Sequence, residues 1–236
     1  MKISNFLQFI FGLIFLIFSS AAFPNNAPKI DQKLMEVACR YELKVTPHDQ
    51  STPPLNTAWF FWRSPGMIQT LDADGDHGEI WEQTANGSIQ YRKLYHADKT
   101  AVEFMPADNA TNNVHFDWAK LSSMLSQQEL SVLKPVMKTT VLGRSAELRE
   151  GKTEGESVMV LWLTNENLPA SIIRKDKKGI VELRLVEVGP LSDVHRKPIA
   201  VEDIANYRQI DAADFGDMEN DPFVKKVLAE EGHHGH

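Results

Sequence analysis

The chain has 236 residues, 25 of them Lys or Arg against 32 Asp or Glu, and a formal net charge of −7. Its 42% hydrophobic and 24% charged residues make a globular composition and exclude a disordered chain, while the acidic balance argues against nucleic acid, whose phosphates require a local excess of cations. A single cysteine excludes an intrachain disulfide framework, a Cys-rich zinc site and a CxxC redox pair.

Residues 1–22 read as a cleaved secretory signal. Lys2 supplies the positive start, Phe6 to Phe18 is an apolar run, and Ser20-Ala21-Ala22 places small residues before the cut. The run is shorter than the roughly 20 residues a membrane span needs. Export to the periplasm follows as the expectation. Cys39 is then a lone thiol in an oxidising compartment, and burial is the expected way it survives.

Lys29 to Val37 is long enough for one or two helical turns. From Ala38 to Thr46 the apolar Cys39, Tyr41, Leu43 and Val45 alternate with Arg40, Glu42 and Lys44, the period of a strand with one wet face. Thr57 to Arg63 is a dense aromatic strand ended by Ser64-Pro65-Gly66. Met67 to Leu71 follows, then the acidic turn Asp72 to Asp76. Glu79–Thr84 and Ser88–Tyr95 flank Asn86-Gly87, a strong hairpin signal, and Thr100–Met105 is a further strand. This meander predicts an antiparallel sheet.

The period then changes. Asp117 is placed to cap a helix carrying Trp118, Leu121 and Leu125, and Ser126-Gln-Gln-Glu129 is a capping-box pattern for a second. Strands return at Thr139–Arg149, Ser157–Thr164, Ala170–Lys175 and Ile180–Val188. Ser157–Leu163 is apolar on both faces, so both faces are expected to be covered. Val201–Tyr207 reads as helical. Asp221-Pro222 opens a capped helix that Gly232 closes, before His233, His234 and His236.

Hydrolase and nucleotide motifs are missing: there is no GxSxG, HExxH or Walker loop, and Asp214-Phe215-Gly216 lacks the companion motifs of a kinase. The Asp72–Asp76 turn departs from a calcium loop, with His77 at the glycine position and Gln83 at the bidentate Glu position. No catalytic residue, cofactor or built metal site is expected. The terminal histidines offer imidazole ligands without fixed geometry.

Three stretches carry a family resemblance: Trp62-Arg63-Ser64-Pro65-Gly66, the segment GEIWEQTANGSIQYRKL, and LWLTNENLPASIIRKDKKGIVELRLVEV. From Lys33 to Val188 the chain resembles the LolA/LolB-like periplasmic carriers of outer-membrane lipoproteins. The resemblance implies an incomplete antiparallel β-barrel, a half-barrel of the α+β class, wrapped around helices inserted mid-chain, with an apolar cavity for acyl chains. It implies that Arg63 holds the lid by bonding to helix backbone. The expected organisation is a signal peptide over 1–22, a half-barrel domain over 23–200, and a C-terminal acidic helical extension with a His-rich end over 201–236.

The expected function is a non-enzymatic periplasmic carrier of a lipid or acylated lipoprotein, working with inner- or outer-membrane envelope components. Its ligand-binding residues are expected to be Trp59, Phe61, Arg63 and Trp81 of the sheet, Trp118, Leu121 and Leu125 of the helices, and Met159 and Leu161 of a later strand. The rival readings are an envelope interaction module with a collapsed cavity and a metal-handling protein using the C-terminal histidines.

Overall fold

In the computed structural model, which describes residues 34–49, 51–105, 116–153, 155–193 and 197–232, the alternating segments become a 12-stranded sheet. The expected signal segment, most of the first helix and the terminal histidines lie outside these residues. The chain divides into two compact units, one running from Lys33 to Ala213 and the other including Asp214 onward.

The first arm of the sheet is a meander: β1 (Val37–Pro47), β2 (Leu55–Ser64), β3 (Met67–Asp72), β4 (His77–Gln83), β5 (Ile89–Tyr95) and β6 (Thr100–Phe104). Turn chemistry sets its registers. Ser64 pairs with Met67 across Pro65-Gly66, with Gly66 at φ +70°. Proline presets the first central position and glycine takes the left-handed second, as a type II turn demands. The Asn86-Gly87 hairpin joins β4 and β5 as expected.

Two short helices follow, α1 (Trp118–Ser123) and α2 (Gln127–Ser131). Asp117 caps α1 by accepting from the Ala119 amide at 2.9 Å. Ser126 and Glu129 close a reciprocal capping box on α2. Both caps are those the sequence pattern predicts.

The second arm comprises β7 (Lys134–Val141), β8 (Arg144–Thr153), β9 (Glu156–Leu163), β10 (Leu168–Lys175) and β11 (Gly179–Gly189). The single strand expected over Thr139–Arg149 is instead a hairpin turning at Leu142-Gly143, with φ of +51° and +74°. Both central residues of this turn type need positive φ. Leucine rarely adopts it, so the sequence carries no turn signal there. Lys134 to Lys138, to which the sequence pattern assigns no strand, belong to β7 as well, which pairs with β8.

With β12 (Arg208–Asp211) at one end, the strand order is β12-β6-β5-β4-β3-β2-β1-β11-β10-β9-β8-β7. β1 joins the arms, pairing antiparallel with β2 and β11. The end strands β12 and β7 do not meet, so the sheet is open: an α+β half-barrel.

The segment expected to be helical over Val201–Tyr207 is a four-residue helix, α3 (Val201–Ile204), followed by β12 (Arg208–Asp211). β12 adds parallel to β6, and Ile204 is buried with Ile80, Leu94 and Ala101. The sheet-bearing unit therefore runs to Ala213, past the expected end at 200. In the second unit, α4 (Pro222–Gly232) is capped by Asp221, which accepts from the Phe223 and Val224 amides at 2.9 and 3.2 Å. Among the described residues, no helix is long and apolar enough to cross a membrane.

Candidate ligand site on the concave face

Residues that pair across an antiparallel sheet share a face, and neighbours along a strand alternate. On β1 to β4 this puts Tyr41 beside Trp59, Cys39 beside Phe61, and Arg63 beside Ile68 and Trp81. The same face continues through Leu43, Leu183, Ile172 and Val160. It is aromatic and tightly packed. Tyr41 and Trp59 stack at 5.2 Å, Trp81 and Tyr91 at 5.3 Å, and Tyr91 and Phe104 at 5.0 Å.

The segment Phe116–Leu133 crosses this face, as its points of attachment show. Phe116 meets the Tyr91 ring at 5.3 Å. Ser122 accepts from Arg63 of β2 at 2.5 Å. Leu130 accepts from Arg149 of β8 at 3.2 Å. Leu133 lies over Gly151, where an added Cβ would come within 2.8 Å of its side chain. Leu121, Met124, Leu125, Leu130 and Leu133 are all buried. One arginine from each arm thus reaches a carbonyl near the end of a short helix, where unpaired carbonyls concentrate.

Arg63 is 1% exposed. Besides Ser122 it donates Nε to the Met35 carbonyl at 3.1 Å and Nη2 to the Glu166 carbonyl at 2.5 Å. Three chain segments distant in sequence therefore converge on one guanidinium. Burial lowers its pKa, and nearby Cys39, Tyr41 and Glu166 oppose the shift. The Glu166 side chain pairs with Arg144. Burial pushes the Cys39 thiol up to about 12, despite Arg63, so at neutral pH the group is a thiol and not a nucleophilic thiolate.

The concave face also has a polar row. Thr70 of β3 pairs with Glu79 of β4, and Glu79 pairs with Lys93 of β5. Tyr91 donates to Glu79. Burial raises the Glu79 pKa, against the Tyr91 hydrogen bond and the Lys93 charge. At the strand ends, burial pushes the Asp72 carboxyl up, but hydrogen bonds from the His77 side chain and amide outweigh it and hold it below its usual range. Among the described residues, no group of three or more His, Cys, Asp or Glu is placed to hold a metal ion.

Of the expected site residues, Trp59, Phe61, Arg63 and Trp81 share the concave face and are buried. Leu121 and Leu125 are buried on the crossing segment, and Trp118 is half-buried at its start. Met159 and Leu161 are not brought to them. Met159 pairs with Ile173 and Leu161 with Ser171, opposite Glu182 and Arg184 of β11, which places both on the convex face. Met159 is 39% exposed. The concave face of β9 belongs instead to Val158, Val160 and Trp162, all buried. A shift of one residue exchanges the faces, and SVMVLWL has no polar alternation to reveal which set points inward. Tyr41, Thr70, Glu79 and Arg149 also went unmarked. The alternation through Cys39, Tyr41 and Leu43 was the one available signal for Tyr41.

No family model and no curated protein matches the chain. Among solved structures it is similar to PNGF-II in its C2 crystal form, at 11% identity and a TM-score of 0.42, covering 78% of this chain and 32% of that one. The chain thus spans about a third of the length of PNGF-II. It is similar to MucB at 11% identity and a TM-score of 0.41, covering 72% of this chain and 57% of that one. It is similar to a LolA superfamily protein from Nitrosomonas europaea at 8% identity and a TM-score of 0.28, covering 72% and 90%. At these values none of the three likenesses carries an inference about function.

Proposed function

We propose that the chain is a non-enzymatic periplasmic carrier, taking the acyl chain of a lipid or lipoprotein between the concave face and the Phe116–Leu133 segment. The observation that carries this reading is the attachment of that segment. It contains two helices of five and six residues, too short to be stable alone. It is held by its buried leucines and by arginine-to-carbonyl bonds from both arms. A cover built this way can lift without unfolding the sheet beneath it. The resemblance to LolA/LolB-like carriers at Trp62–Gly66 supports the same use of Arg63. Periplasmic residence rests on the signal pattern of residues 1–22.

An acyl chain suits the surface because each buried methylene contributes about 0.8 kcal/mol without a polar partner. A dozen methylenes supply roughly 9–10 kcal/mol before association costs are subtracted. Tyr41, Trp59, Phe61, Trp81 and Tyr91 of the face are buried with the cover down, so a ligand enters by displacing the cover.

The test is titration of the full chain with a fluorescent fatty acid, comparing wild type with Leu121→Glu. A carboxylate placed between cover and sheet weakens binding at least tenfold, since burying it unpaired costs more than about 1.4 kcal/mol. Equal binding by a folded variant, or no binding by wild type, refutes the carrier. The latter result favours an envelope interaction module whose helices simply complete the core.

A further inference from the structure

The concave face is not uniformly apolar, and the exception is placed where it can select a ligand. Resting on the carrier reading, we propose that the row Thr70–Glu79–Lys93 binds the head group of an uncharged, hydroxyl-bearing amphiphile of the monoacylglycerol class and discriminates against anionic amphiphiles.

Three observations carry this. First, Thr70 is 6% exposed, and its Oγ1 has no hydrogen-bond partner among the described residues. A buried hydroxyl left unbonded is costly, and a ligand hydroxyl relieves that cost. Second, Glu79 and Lys93 are cross-strand partners on the same face, both half-buried and beside the packed aromatic row. Cross-strand partners stand about 5 Å apart, and they present an acceptor beside a donor. Vicinal hydroxyls, which donate and accept at adjacent positions, match that pair. Third, the charges are already balanced within the row. The Lys93 ammonium lies over the Phe104 ring at 5.6 Å and faces the Glu79 carboxylate. An incoming carboxylate would meet Glu79 as a like charge while losing its water.

The geometry also orients the ligand. The next row of the same face is Ile68–Trp81–Tyr91–Phe104, with Phe116 of the cover against Tyr91. A head group on Thr70 and Glu79 directs its acyl chain along these aromatics and under the cover.

The experiment is calorimetric titration of the full chain with 1-monododecanoylglycerol and with sodium dodecanoate, both below their micelle concentrations. It is run at about pH 8, where dodecanoate is ionised. The expected wild-type result is at least tenfold tighter binding of the monoglyceride. Glu79→Gln, close to isosteric, narrows the ratio to below about threefold by strengthening dodecanoate binding, the two fold-changes differing by less than a factor of ten in affinity. Lys93→Met weakens the monoglyceride. Equal wild-type affinities, or a ratio unchanged in Glu79→Gln, overturn the head-group assignment while leaving the carrier standing. Failure to bind either probe overturns both. The wild-type ratio alone decides if the variants do not fold.

Discussion

The two arms of the sheet use the same kind of sequence to different ends. In the first arm, β1 to β6, other segments pack against both faces. The concave face lies under the aromatics and the crossing segment. The convex face is covered by the chain's return: Leu191 packs with Ala38, Trp62 and Leu71, and Ile199, Ile204 and Tyr207 pack with Ile80, Leu94 and Ala101. Gln69 donates to the Ile199 carbonyl at 3.3 Å, and Tyr207 hydrogen-bonds His96 at 2.8 Å. In the second arm, the concave residues Val158, Val160, Trp162 and Ile172 are buried, while much of the convex face is exposed. Met137 is 54% and Met159 39% exposed. An apolar residue on a strand is therefore no proof that something covers it. The first arm's doubly apolar strands are covered because a later segment arrives, whereas Met137 and Met159 of the second arm stay exposed.

The largest expected effect that sharpens this comparison contrasts the two arginines. Arg63→Met strips three carbonyls of their donor, two of them on buried residues, and is expected to cost about 3–5 kcal/mol. Arg149→Met removes one carbonyl bond and a partly exposed pair with Glu147, for about 1 kcal/mol. Urea denaturation of both variants measures the difference. Equal losses would mean that the cover is not held chiefly from the first arm.

Next is Ile204→Ala, which tests the convex cover directly. The residue is fully buried, so the loss is expected at about 2–4 kcal/mol. A loss below about 0.5 kcal/mol would show that Ile204 adds little to the sheet.

Asp72→Asn probes the polar end of the first arm. Because the folded-state pKa lies below the ordinary 3.8, the carboxylate contributes stability that is fully present above that value and lost as pH falls through the folded pKa. The variant is therefore less stable than wild type at neutral pH, and the gap closes in acid below 3.8. A pH-independent difference in melting temperature would assign the effect to packing. Smallest is Met159→Thr at an exposed position of the convex face, expected to fall within about 0.5 kcal/mol. A loss above 2 kcal/mol, roughly that of burying such a side chain, would reveal a cover there.

The same contrast explains what was legible in the sequence. The first arm's strands could be read because Arg40, Glu42 and Lys44 mark the outer face and Pro65-Gly66 and Asn86-Gly87 mark the turns. The caps at Asp117 and Ser126 were legible because a side chain three residues or fewer from its partner is local chemistry. In the candidate site, the aromatic run Trp59–Trp62 and Arg63 stood out by type. The facing set of β9 did not, because every residue from Val158 to Leu163 is apolar and only pairing with β10 fixes the parity. β12 was hidden for a similar reason. Arg208–Asp211 has one buried side chain, Ile210, and is a strand by virtue of the β6 edge it joins.

The position of β1 has a consequence in time. Its neighbour on one side, β2, is synthesised directly after it, but its neighbour on the other is β11, with Ala38 opposite Gly189. Until nearly the whole sheet has emerged, β1 exposes a row of unpaired amides and carbonyls along one side. Such distant pairings close slowly. The nascent first arm is thus a sticky half-sheet waiting for its other half, and the interval between the emergence of β1 and that of β11 is when this chain most needs protection from its neighbours.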